Sequence, residues 1–179
     1  MLILLNAVAE VNKLTESPSG FRPRYKEGLI TAISAGGFLL LVGVIFIVTP
    51  NLVDKIVTFV NDFKLISIPH MENVLVPVPE TPGAHAVVYK ALWEFSLAWG
   101  IFQIFILAFR FVAGSPFGRK VETTANMVFW LGAYYLITTF LSETTTVEKW
   151  FIFWAAIIML IGVSLIVRAI ILAARLAIA

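Results

Sequence analysis

The residues with the widest chemical repertoire in this chain are its two histidines, His70 and His85, which share one stretch with Glu72 and Glu80. Imidazole and carboxylate together make a donor set for zinc or copper. The spacing matches no established ligand motif, and the chain must fold back on itself to bring the two rings together. Against a metal site, or a pH sensor built on the same rings, stands the plainer reading of surface histidines in a polar loop. The chain has no cysteine, which removes disulfides, thiolate metal sites and cysteine nucleophiles.

A second group sits in a different environment. The stretch WEFSLAWGIFQIFILAFRF, residues 93–111, is apolar and aromatic but carries Glu94, Gln103 and Arg110. At about 100° per residue, Ser96, Gly100, Gln103 and Arg110 form one stripe of a helix, and Glu94 falls nearly opposite Gln103. Glu94 and Arg110 would be about 24 Å apart along the axis, so any ion pair made by Arg110 needs a partner on another helix. Arg110 lies near the end of its apolar run, where a long basic side chain reaches the headgroups, and Arg168 and Arg175 can do the same. Glu94 is either an interfacial carboxylate or one turned to a partner. Gln103, at mid-depth, needs a hydrogen bond across to a neighbouring helix. Asn126, Tyr134, Thr138 and Ser164 are polar groups that later segments offer it as packing partners, and Tyr134, Thr138 and Ser164 would with it line a narrow polar pathway in the alternative reading.

These groups must be positioned by elements that a bilayer selects. Hydrophobic residues make up 60% of the chain and charged residues 13%, against about 45–50% and about 25% in ordinary soluble domains. The expectation is an all-α integral membrane protein with four transmembrane helices, near residues 28–49, 91–112, 124–141 and 150–173. Each is close to the ~20 residues needed to cross, and lipid leaves helices as the default because it offers the backbone no partners. The third run is the shortest and most polar. Residues 1–27 read as an amphipathic segment (a surface helix over about 2–14, or a frayed end) with a linker, and 28–179 as one four-helix membrane domain. No basic region precedes the first apolar residues, so they do not read as a signal peptide.

The connection over residues 50–90 carries more than a turn. Thr49 as cap and Pro50 at the first helical position predict an amphipathic helix through Lys64, with Leu52, Val53, Ile56, Val57, Val60 and Phe63 on one face. Pro69, Pro77, Pro79 and Pro82 then impose extended backbone, and VLVPVP alternates as an edge strand or docking strip would. Thr145 and Glu148 have capping-box spacing at the start of the last run.

Lys and Arg set the orientation. One side holds Lys13, Arg22, Arg24, Lys26, Arg110, Arg119, Lys120, Arg168 and Arg175; the other holds Lys55, Lys64, Lys90 and Lys149. Both termini are therefore expected in the cytoplasm of a multi-pass cell-membrane protein. Arg22, Arg24, Lys26, Arg119 and Lys120 would meet lipid headgroups, and Trp150 and Trp154 would form the outer aromatic belt. The net charge of +2 is spread over the ends of apolar runs, with no dense basic face for nucleic acid.

No HExxH, GxSxG, GxGxxG or Walker motif is present. No histidine lies in a span to ligate haem, no internal repeat suggests an inverted-repeat transporter, and no motif names a family. The sequence therefore favours a non-catalytic accessory or structural subunit, packing against lipid, other membrane subunits or copies of itself, with no resident cofactor beyond a structural lipid. Two alternatives stand beside it: a small oligomeric channel or transporter, and an outer-loop metal or redox protein.

Overall fold

The computed structural model describes residues 21–68 and 71–178. The expected surface helix near residues 2–14 lies outside the described residues, as does His70. The chain is mostly helical: α1 Phe21–Val48, α2 Leu52–Asn61, α3 Ala86–Val112, α4 Phe117–Phe140 and α5 Val147–Ile178. Two strands, β1 Phe63–Ile68 and β2 Met71–Pro79, and a 3₁₀ turn Pro82–His85 separate α2 from α3. Three helical stretches are long and apolar enough to cross a membrane, namely Lys26–Val48, Pro82–Val112 and Val147–Arg175. The third expected span is indeed a helix, α4, but it begins at Phe117 and its first turns carry Arg119, Lys120 and Glu122, so it is less apolar than the other three.

The long helices alternate in direction. Glu27 of α1 meets Arg110 of α3, and Phe38 meets Phe95 and Trp99, so rising numbers on α1 face falling numbers on α3. Trp93 packs on Tyr134 and Lys120 on Phe111 between α3 and α4. Arg175 lies over Phe117, and Gly132 packs against Leu160, between α4 and α5. The order is α1–α3–α4–α5, with α1 resting chiefly on α3.

Local sequence explains the reversals. After α3, Gly114 takes φ +68°; its N–H bonds Phe111 O at 3.2 Å while the Ser115 N–H bonds Arg110 O at 3.0 Å. This is the Schellman pairing, which needs a residue free of Cβ strain. Between α1 and α2, Asn51 sits at φ 54°, a region that Asn tolerates better than most residues. The helix therefore starts at Leu52, two residues beyond the expected Pro50, and Thr49 closes α1 through its N–H to Ile45 O at 3.0 Å.

The connection between α1 and α3 departs furthest from an all-α reading. The amphipathic helix stops at Asn61, and Phe63 and Lys64 open β1, which pairs antiparallel with β2 from Phe63↔Pro79 to Ser67↔Leu75. A two-stranded hairpin has two edges, so Pro77 and Pro79 can turn their missing donors outward. The alternation in VLVPVP holds as far as Val78, which is fully buried while Leu75 and Pro77 are exposed, and breaks at Pro79, which is buried as well.

The hairpin and α2 close one end of the bundle over a core of Val78, Tyr89, Ile137, Leu141, Trp150 and Phe153, with Phe59 and Phe63 packed on it. The sequence places Trp150 at the lipid interface. It is instead 4% exposed, with Phe59 and Phe63 edge-on to its ring at 6.0 and 6.1 Å. A span-end tryptophan reads as a belt residue until a connecting segment folds over it. Trp154 remains exposed. The cap of α5 also shifts by one residue, because Thr146 Oγ1 accepts the Lys149 N–H at 3.3 Å. Thr145 Oγ1 is occupied in the preceding turn, accepting from Ser142 N at 2.6 Å and donating to Phe140 O at 3.1 Å.

Candidate functional site

At the end of the bundle opposite this cap, α1, α3 and α4 enclose a cleft of about 490 Å³. Its floor is a stripe of α3, Trp99, Gln103, Ile106 and Arg110; Gln103 and Arg110 share it as helical spacing predicts, whereas Gly100 faces Leu131 of α4. α1 contributes Thr31, Ser34, Phe38 and Leu39, and α4 contributes Arg119, Glu122, Thr123 and Asn126. The cleft forms because α1 leans on α3 while α3 and α4 pack closely. Gly100 is what brings these two helices together, since a Cβ there would lie 2.6 Å from Leu131 Cδ2. Small residues at a helix crossing allow this approach.

Arg110 is packed inside the bundle. It is 8% exposed, and its Nη1 donates to Glu27 Oε2 at 2.7 Å. The pair uses one N–H and one oxygen, leaving Arg110 Nε and Glu27 Oε1 buried without a partner among the described residues. Ser115 Oγ, in the turn at the same end, is likewise orphaned. Glu27 is the residue the sequence reading missed. A charge beside an apolar run looks like its boundary, which puts the expected start of the span at Gly28, but the helix continues back to Phe21. The signal available was depth, because both Glu27 and Arg110 stand at the basic end of their helices.

Gln103 is 5% exposed and lines the cleft. Its amide makes no hydrogen bond to a protein group among the described residues. Its expected companions divide: Asn126 shares the cleft, whereas the Thr138 hydroxyl donates to Tyr134 O and Tyr135 O at 3.0 Å, and Ser164 to Ile161 O at 2.8 Å. Those two hydroxyls satisfy themselves on their own helices. Arg119 pairs with Glu122 at 3.1 Å, and the Lys120 Nζ lies 4.5 Å from the Phe111 ring centre. Lys26 and Arg168 are exposed, and the side chains of Arg22 and Arg24 lie outside the described set. Glu94 faces Lys90 on its own helix at 3.8 Å, an exposed i,i+4 pair worth a few tenths of a kcal/mol.

Among the described residues, the polar centre of the opposite end is Asp62. Its Oδ2 accepts from the Thr81 N–H at 3.0 Å, from the Thr81 hydroxyl at 3.0 Å and meets His85 Nε2 at 2.8 Å. The hydrogen bond from His85, followed by that from the Thr81 backbone, holds the Asp62 carboxyl below its ordinary value of 3.8. Asp62 also ends α2, and its carbonyl accepts the Glu80 N–H at 2.9 Å. One residue thus ties α2 to the hairpin and to the start of α3. His85 is buried in this network and Glu80 pairs with Lys64. Among the described residues no group of three His, Asp or Glu side chains could hold a metal ion. The Glu72 side chain is not among those described.

No protein-family model, curated protein or solved structure matches the chain at a significant level.

Proposed function

We propose that the chain is a structural or accessory subunit of the cell membrane, inserted as four spans with both termini cytoplasmic, and assembling laterally with other membrane subunits or with copies of itself. The observation that carries this reading is the contrast among its glycines. Gly37, Gly100 and Gly132 each meet a side chain of this chain, whereas nothing lies within 4 Å of a Cβ placed on Gly36 or Gly43. A glycine inside a helix costs about 1 kcal/mol relative to alanine. Gly36 and Gly43, with Ala32 near the same face of α1, suit a close approach by a helix from outside the chain. The alternating helix directions support termini on one side, and Arg110, Arg119 and Lys120 cluster at that end, as the positive-inside rule favours for the cytoplasm. On the outer side, Val53, Val57 and Val60 of α2 are exposed beside the packed stripe of Leu52, Ile56 and Phe59. That second apolar stripe suits a partner or the membrane interface.

Mass measurement in native nanodiscs tests the proposal. A homo- or hetero-oligomer that dissociates when Gly36 and Gly43 are both replaced by leucine is the expected result. A strictly monomeric, partner-free chain would sink it.

A further inference from the structure

The cleft of α1, α3 and α4 poses a problem that assembly through α1 does not solve. In hydrocarbon an unsatisfied polar group costs several kcal/mol, yet the cleft presents the unpartnered Gln103 amide and opens on its side. Its polarity is also graded. Arg110, Arg119 and Glu122 occupy the basic end, Gln103 and Asn126 lie deeper, and Trp99, Phe38 and Leu39 follow. Gln103 stands roughly 10 Å from Arg110 along the α3 axis.

A phospholipid has the same order of groups: a charged head, hydrogen-bond-accepting ester carbonyls, then an acyl chain. We infer that this cleft is a binding site for one zwitterionic phospholipid with a primary-ammonium head, of the phosphatidylethanolamine class. The phosphate takes the guanidinium groups of Arg110 and Arg119. The ammonium takes the Glu122 carboxylate, and the amides of Gln103 and Asn126 donate to the glycerol esters. The acyl chain leaves along Phe38 and Trp99. Charge selects the zwitterion, because each arginine of the cleft is already balanced by a glutamate, Arg110 by Glu27 and Arg119 by Glu122. An anionic head would add an uncompensated negative charge beside both carboxylates.

The test is native mass spectrometry of the delipidated full chain in detergent, titrated separately with dioleoyl phosphatidylethanolamine, dioleoyl phosphatidylglycerol, O-phosphoethanolamine and inorganic phosphate. One equivalent of phosphatidylethanolamine should bind, at least about fivefold more tightly than phosphatidylglycerol. The tail-free head and inorganic phosphate should bind far more weakly, because they forgo the deep end of the cleft. Gln103→Leu should weaken lipid binding about tenfold, the effect of one lost buried hydrogen bond. Asn126→Leu tests the same site at an exposed position whose substitution leaves the helix packing intact. Three results would each overturn the inference: unchanged lipid binding in Asn126→Leu and in folded Gln103→Leu, inorganic phosphate binding as tightly as lipid, or a preference for phosphatidylglycerol.

Discussion

Replacing Glu27 by glutamine keeps the shape of its side chain and removes only its charge. The side chain of Arg110 is 10% exposed and that of Glu27 is 20% exposed, so the variant strands a guanidinium where water reaches it poorly. Breaking a buried pair from one side costs about 3–5 kcal/mol. The partial exposure of Glu27 places this case at the lower end, about 3 kcal/mol, equivalent to a fall in Tm of roughly 6–12 °C for a chain of this size. Arg110→Met, which leaves the better-hydrated carboxylate behind, should cost less. The double variant should recover much of the loss, because both desolvated charges are gone, giving a coupling of about 2 kcal/mol. The assay is reversible unfolding in mixed micelles, followed by helical circular dichroism for the four members of the cycle. If the double variant equals the sum of the singles to within ~0.5 kcal/mol, the two charges do not interact and the α1–α3 contact is held by packing alone.

Acid should loosen the cap formed by α2 and the hairpin. The Asp62 carboxyl is held below 3.8 in the folded chain, so its stabilisation is complete above the ordinary carboxylate value and is lost as pH falls through the folded one. Trp150 fluorescence, scanned from pH 6 to about pH 2, should report a transition that Asp62→Asn flattens, at a cost of about 2 kcal/mol at neutral pH. Gly100→Val should destabilise the bundle by about 1–3 kcal/mol through collision with Leu131, whereas Gly43→Ala, in open space, should be neutral or slightly stabilising in the isolated chain; equal effects in thermal melts would contradict the packing described. Trp150→Ala should cost about 3–5 kcal/mol in denaturant unfolding, far above the few tenths expected of an interfacial residue, and Trp154→Ala much less.

What the sequence determined by itself follows from local and solvent-driven rules. Long apolar runs in a chain that is 60% hydrophobic specify membrane helices whatever their neighbours do. Helical spacing alone placed Gln103 and Arg110 on one stripe of α3, and the alternation of VLVPVP alone marked β2. The tertiary structure decided who meets whom. Glu27 and Arg110 are 83 positions apart, and no local pattern pairs them. Asp62 gains its partners only when the hairpin returns Thr81 and His85 to it. Trp150 moved from the lipid interface to the core because α2 and β1 fold across it. In each case the sequence gives the polarity of a side chain, but burial and partnership are set by elements distant in the chain, whose approach depends on packing at positions such as Gly100.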